Sequence, residues 1–279
     1  MPVYAILGAT GQTGSEVVNY LLPTENKLHV YARSSTRLTS KHPSLSSSSS
    51  SKVNIFIGDL SDEKLLAECL EGVDVIFSTV AQNQNEPGCT IARRTAGAIV
   101  KALESNNNKS GSVSVSVSVS KGKKRYPAVI FLSSAGIDPR RPGGYFDILL
   151  HFTLRHIYGD LEEAIIYLQS IDWLPIIVAS PGALIHVEEE HQVTLTEDMV
   201  DDNVMSYKDL AKGMVMMAED DEKWVGKRVG MVVNSGKPIG GNPAALLRYL
   251  LPNLLVSVCP PLWRLGRDWV AGVSVTLVR

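Results

Sequence analysis

The run Gly8-Ala9-Thr10-Gly11-Gln12-Thr13-Gly14 joins two segments of different period. Before it, Val3-Tyr4-Ala5-Ile6-Leu7 is an unbroken apolar run. After it, Val17, Val18, Leu21 and Leu22 recur at helical spacing. A strand that enters a helix through three glycines at this spacing has few solutions. Gly8 permits a tight turn, Gly11 lets the backbone approach a pyrophosphate, and Gly14 lets the helix pack close to the strand, its amide-rich N-terminus toward the phosphates. The pattern predicts a dinucleotide lying over Gly8, Thr10, Gly11, Gln12, Thr13 and Gly14.

The second strand, Leu28-His29-Val30-Tyr31-Ala32, bears on which dinucleotide. An NAD-binding chain places an acid about 20 residues after the glycines, to bond the ribose 2′-hydroxyl. No acid occurs here between Asn26 and Asp59. Arg33 and Arg37 instead flank Ser34 and Ser35, and guanidinium forks match the oxygens of a 2′-phosphate. NADP(H) is the expected cofactor. Asp59 and Leu60, after the strand Val53–Ile57, either border the adenine or, for Asp59, cap the next helix. The buried strand Val73–Val80 runs into the amide-rich loop Ala81-Gln82-Asn83-Gln84-Asn85-Glu86-Pro87-Gly88. That loop faces the nicotinamide or substrate, since ligands of such sheets sit beyond the strand C-termini.

The fifth strand, Ala128–Leu132, ends in Ser133-Ser134-Ala135-Gly136. A strand-end serine can hold a substrate carbonyl while a tyrosine, its pKa lowered by a lysine four residues on, transfers a proton. Tyr158 lies 24 residues after Ser134, but Glu162 follows it at the lysine position, and no lysine occurs between Arg125 and Tyr207. Tyr158, Ser134 and Ser133 are the candidate catalytic residues, with Asp160 or Glu162 positioning the phenol. His186 and His191 bracket Glu188-Glu189-Glu190, which reads as an acidic surface loop rather than a metal site.

The 279 residues suffice for one α/β unit with a small C-terminal substrate lobe drawn from 180–279. Residues 44–52, with six consecutive serines, and 106–124, with Ser-Val alternation, read as low-complexity insertions. Lys and Arg number 27 against 29 Asp and Glu, so no net field favours nucleic acid. Three scattered cysteines indicate a reduced, cytoplasmic setting. The apolar tract 246–262, broken by prolines, predicts no integral membrane segment. Its exposed face could dock on the small lobe, on a second subunit in a homodimer, or on a membrane surface.

Taken together, the glycine motif, the Arg33 turn, Ser133-Ser134 and Ser180-Pro181-Gly182 resemble the atypical short-chain dehydrogenases of the NmrA-like type. Val80-Ala81-Gln82-Asn83, Tyr158-Gly159-Asp160-Leu161-Glu162 and Met205-Ser206-Tyr207-Lys208-Asp209-Leu210 are closer to the fungal averufin-oxidase-like family. The likeness covers residues 3 to 250 apart from the insertions. It implies a Rossmann-like doubly wound parallel sheet and an NADP(H)-dependent oxidoreductase of fungal secondary metabolism, acting on an aromatic polyketide of the anthraquinone or xanthone type. Members of the family also lack the Tyr-Lys pair. Two other activities fit the same motifs: a cofactor-binding cyclase or isomerase without net redox change, and a non-catalytic NADP sensor acting on a protein partner.

Overall fold

The computed structural model describes residues 1–47, 52–82, 84–110, 126–141, 143–198, 204–234 and 243–263. Most of the serine run and the whole Ser-Val tract lie outside them. The chain alternates β1 (Val3–Leu7), α1 (Gln12–Leu21), β2 (Lys27–Ala32), α2 (Ser35–Lys41), α3 (Ser44–Ser47), β3 (Val53–Ile57), α4 (Glu63–Cys69), β4 (Val75–Ser78), α5 (Ile91–Ser110) and β5 (Ala128–Leu132). A single 3₁₀ turn, Ala135–Ile137, leads to α6 (Tyr145–Thr153), α7 (Arg155–Gln169) and β6 (Ile176–Ser180). There follow β7 (Ala183–Ile185), β8 (Gln192–Thr196), β9 (Val204–Ser206), α8 (Tyr207–Glu219), α9 (Asp221–Trp224), β10 (Arg228–Asn234) and α10 (Pro243–Val258).

The strands lie in the order β3-β2-β1-β4-β5-β6-β10-β8, all parallel except the edge strand β8, which runs antiparallel to β10. The first six positions follow the doubly wound order that places a dinucleotide at the strand reversal beside β1. Alternate residues of each strand feed two apolar layers, as a sheet buried on both faces requires. Ile6, Phe77 and Ile130 meet Val17, Val18 and Leu21 of α1 and Leu210, Met214 and Met217 of α8. Ala5, Leu7, Ile76 and Phe131 meet Leu66 of α4, Ala96 and Ile99 of α5, and Leu161 and Ile165 of α7. Met214 and Met217 are fully buried, so the methionines of α8 are core filler.

One boundary differs from the sequence reading. The asparagines assigned to the second insertion continue α5 to Ser110. The Asn106 side chain donates to the Ala67 carbonyl and Asn107 to the Tyr126 hydroxyl, so polar residues here find partners that extend a helix. Met205 lies in β9, paired in parallel with β7, and α8 begins only at Tyr207 behind a Ser206–Asp209 capping box.

Candidate nucleotide and substrate site

The glycine turn is shaped by backbone contact. Gly8 adopts φ +92°, and a Cβ there would lie 2.9 Å from Thr79 Oγ1. A Cβ on Gly14 would lie 2.3 Å from the Gly8 carbonyl oxygen and 2.6 Å from Thr79 Oγ1, so only glycine lets α1 start this close to β1. Gly11 N donates to Gly8 O at 2.8 Å, and Gly11 is an exposed N-cap without a side chain. The N–H groups that open α1 need an acceptor, and an anion at this end supplies one. Thr10 and Gln12 are half-buried beside the turn and Thr13 is buried behind it. Gln12 Nε2 donates to His186 Nε2 at 3.0 Å, and the His186 ring lies 4.6 Å from that of Tyr207. Burial first, then Lys41, holds His186 below the usual histidine range, which suits the neutral acceptor Gln12 requires.

Arg33 and Arg37 are exposed just past the C-terminal end of β2, and Ser34 Oγ caps α2 by accepting from Arg37 N. Asp59, exposed at the end of β3, accepts from Ser61 N and Oγ; these bonds, with Arg94 and Arg33 nearby, hold its carboxyl below the usual range. Its carbonyl accepts from Tyr31 at 2.7 Å. The cap of α4 is Asp62, not Asp59, because Asp62 Oδ1 accepts from Leu65 N. Leu60 packs partly against the α5-side layer.

Ala81 and Gln82 are half-buried beyond β4, with Gln82 Nε2 donating to Glu86 at 2.8 Å. Asn83 lies outside the described residues. Asn85 turns into the protein and is fully buried. Its carbonyl accepts from His156 N and Ile157 N at the start of α7, and its amide donates to Thr153 O and Ser257 Oγ, both at 2.8 Å. This part of the amide loop is therefore a clamp between α6, α7 and α10 rather than a ligand contact.

Ser134 lies close enough to Tyr158 for its hydroxyl to bear on the phenol's ionisation, and Ser134 Oγ accepts from Gly136 N. Tyr158 is only 6 % exposed. A Cβ on Gly136 would sit 2.3 Å from its hydroxyl oxygen, so Gly136 makes the phenol's berth. Burial raises the Tyr158 pKa, opposed by Ser134 and by Arg141, the cation that acts on it where the usual pattern has a lysine. A phenol so held keeps its proton at neutral pH. Ser133 is turned to another partner: its hydroxyl accepts from Arg228 Nη1 at 3.3 Å. Asp160, expected beside the phenol, instead accepts from Ala92 N and Arg93 N at 2.8 and 3.0 Å and caps α5, where a carboxylate meets orphan amides. Glu162 pairs with His151 at 3.2 Å. His191 is bonded through ring and backbone to the buried Asp209, and among the described residues no three potential ligands gather into a metal site.

Gly136 and Arg228 were not singled out from sequence, and Asn85 was read only as part of a loop facing the ligand. Arg228 had a signal, since a charged residue opens an otherwise apolar strand; Gly136 and Asn85 are common in turns and gave none.

A parallel sheet in this order, its first βα turn carrying glycines fitted to backbone oxygen, defines a Rossmann-like nicotinamide-dinucleotide-binding protein. The chain belongs to the NAD(P)H-binding family, which it matches over residues 8–221. It is 35% identical over 242 residues to the oxidoreductase dmxR7 of Cryptosporiopsis, covering 84% of this chain and 95% of that protein. It is 34% identical over 276 residues to the oxidoreductase stcQ of Emericella nidulans, covering 95% and 94%. Among solved structures, a short-chain dehydrogenase/reductase of Veillonella parvula in complex with NADP aligns with TM-score 0.63 at 19% identity, over 87% of this chain and 99% of that one. Among the described residues no helix is long and apolar enough to cross a membrane.

Proposed function

We propose that the protein is an NADP(H)-dependent oxidoreductase acting on an aromatic polyketide of the anthraquinone or xanthone type. The cofactor preference is carried by one observation: the turn after β2 presents Arg33 and Arg37 to solvent, and no acid stands there to bond a ribose hydroxyl. The cofactor extends from Gly8–Gly14, its 2′-phosphate at Arg33 and Arg37, past Ala81 and Gln82 toward Ser134. The relatives dmxR7 and stcQ, both described as oxidoreductases, support hydride chemistry. Residues beyond Ser180 contribute the substrate lobe. An apolar aromatic substrate is supported by α6, which leaves Tyr145, Phe146, Ile148 and Phe152 exposed on the segment following the Ser134 turn. Tyr158 donates the proton and Ser134 orients it.

Titration with NADPH and NADH tests the cofactor. The native protein binds NADPH more tightly, and Arg33→Ala with Arg37→Ala costs about tenfold or more toward NADPH alone, since charge-assisted bonds are lost. Equal affinities for the two cofactors would refute the preference. Tyr158→Phe lowers turnover and spares NADPH affinity; unchanged turnover removes the phenol from the reaction. The absence of a lysine near Tyr158 favours a second reading, a rearrangement in which the cofactor serves as scaffold. Product mass separates them: a change of two hydrogens marks oxidoreduction, an unchanged mass marks isomerisation.

A further inference from the structure

Arg228 opens β10 in parallel register with Val178 of β6. Its neighbours Val229 and Met231 face the α1–α8 layer, so the two-residue period of a strand turns Arg228 to the opposite face, which α7 covers. There its Nη1 donates to Ser133 Oγ at 3.3 Å and Ser180 Oγ at 3.4 Å, the hydroxyls at the C-terminal ends of β5 and β6. Ser133 adjoins Ser134 and lies three residues before Gly136, which borders the Tyr158 hydroxyl.

The charges around it do not balance. Asp138 and Glu162 act on Arg228 through space, but neither bonds to it, and Arg140 occupies both Asp138 oxygens, Nε to Oδ1 at 2.9 Å and Nη2 to Oδ2 at 2.6 Å. Glu162 is bonded to His151, and Arg141 is paired with Asp147. Among the described residues no carboxylate forms an ion pair with Arg228, which is half-buried and bonded only to neutral hydroxyls. Burying a cation without a directly bonded counter-ion is costly, and guanidinium does not escape by losing its proton. The cofactor's phosphates are not the missing anion. They lie by the β1 turn, two strands from Ser133, about 10 Å at the usual strand spacing and beyond reach of a direct bond.

We infer that Arg228, with the Ser133 and Ser180 hydroxyls, forms a subsite for an oxyanion of the substrate, a carboxylate or ionised phenol. This rests on the reading that substrate sits beyond β5 and β6. The planar guanidinium fork grips such a group through two nitrogens and fixes which part of the molecule meets Ser134 and Tyr158.

The test uses full-length protein saturated with NADPH and two probe pairs, benzoate against benzamide and anthraquinone-2-carboxylate against its carboxamide. Native protein binds each carboxylate about tenfold or more tightly than its amide. Arg228→Met removes that preference and leaves NADPH affinity unchanged. Arg228→Lys, which keeps the charge but not the fork, retains part of it, and decides the matter if the Met variant does not fold. Equal binding of carboxylate and amide by native protein, a preference that survives Arg228→Met, or one left undiminished by Arg228→Lys, overturns the subsite. Failure of the anthraquinone pair alone, with benzoate still preferred at Arg228, overturns the aromatic polyketide reading and leaves the subsite standing. Failure to bind NADPH overturns the cofactor reading instead.

Discussion

One chemical change, glycine to alanine, has opposite consequences at two helical positions. At Gly14 the added methyl would lie 2.3 Å from the Gly8 carbonyl oxygen and 2.8 Å from its carbonyl carbon. Both are backbone atoms that no rotamer change can move. To reach ordinary contact α1 must retreat by about 1 Å, an overpacking that costs about 1–3 kcal/mol. At Gly97, within α5, nothing lies within 4 Å of the added carbon. There alanine adds helix propensity worth about 0.5–1 kcal/mol and meets no obstacle. At about 2 °C per kcal/mol for a chain of this size, Gly14→Ala lowers the melting temperature by about 4 °C and Gly97→Ala raises it by about 1–2 °C. The retreat also carries the first amides of α1 out of hydrogen-bond range of a pyrophosphate, so Gly14→Ala weakens NADPH binding about tenfold or more, while Gly97→Ala leaves it unchanged. Thermal melts with and without NADPH, with a fluorescence titration, read both effects. A Gly14→Ala protein with native affinity and native melting temperature would refute the close-packing account of the motif.

Asn85→Ala strips partners from His156 N, Ile157 N, Thr153 O and Ser257 Oγ at once. We expect a loss of about 3 kcal/mol, with hydrogen exchange accelerated at the start of α7. Native exchange protection in the variant would show that the clamp is redundant. Gly136→Ala drives a methyl into the Tyr158 hydroxyl, so turnover falls while NADPH affinity holds; a fall in both would place the damage in the cofactor half. Burial alone would raise the Asp209 pKa, but bonds from His191 and Ser206 outweigh it and hold the carboxyl below its usual range. Its stabilisation is therefore full above about pH 4, the unfolded value, and fades as pH falls through the lower folded one. Urea melts of Asp209→Asn against native should differ at pH 7 and converge toward pH 3; a constant gap would exclude ionisation as its source.

The parts legible in the sequence are those with one physical solution. The strands of the parallel sheet, buried on both faces, read as continuous apolar runs such as Val75–Ser78 and Ile176–Ser180. The glycine turn was legible because its three residues are demanded by contacts within ten residues of one another and by Thr79 beneath them. The strand ending at Ser133-Ser134 was legible in the same way, as the apolar run Ala128–Leu132. Where two folded segments must choose each other, local sequence was mute. Asp160 could have served the phenol beside it in the chain, yet the unsatisfied amides of Ala92 and Arg93, nearly 70 residues away, claim it. The loop amides looked like ligand contacts because they follow a strand C-terminus, but Asn85 answers instead to helices far along the chain. Arg228 could not be related to Ser133 without knowing that β10 returns beside β6.

The Asn85 clamp also sets an order of events during synthesis. Strands β1 to β6 are all present once Ser180 has been made, whereas the Ser257 hydroxyl lies 172 residues beyond Asn85. A chain emerging N-terminus first can build its nucleotide half while α10 is still unmade. The side formed by α6, α7 and α10 closes last, when α10 docks on the waiting amide. A nicotinamide dinucleotide present in the cell then meets a finished glycine turn before α10 has docked. The cofactor is in a position to act as a folding ligand, stabilising an intermediate by binding it, before it serves as a reagent.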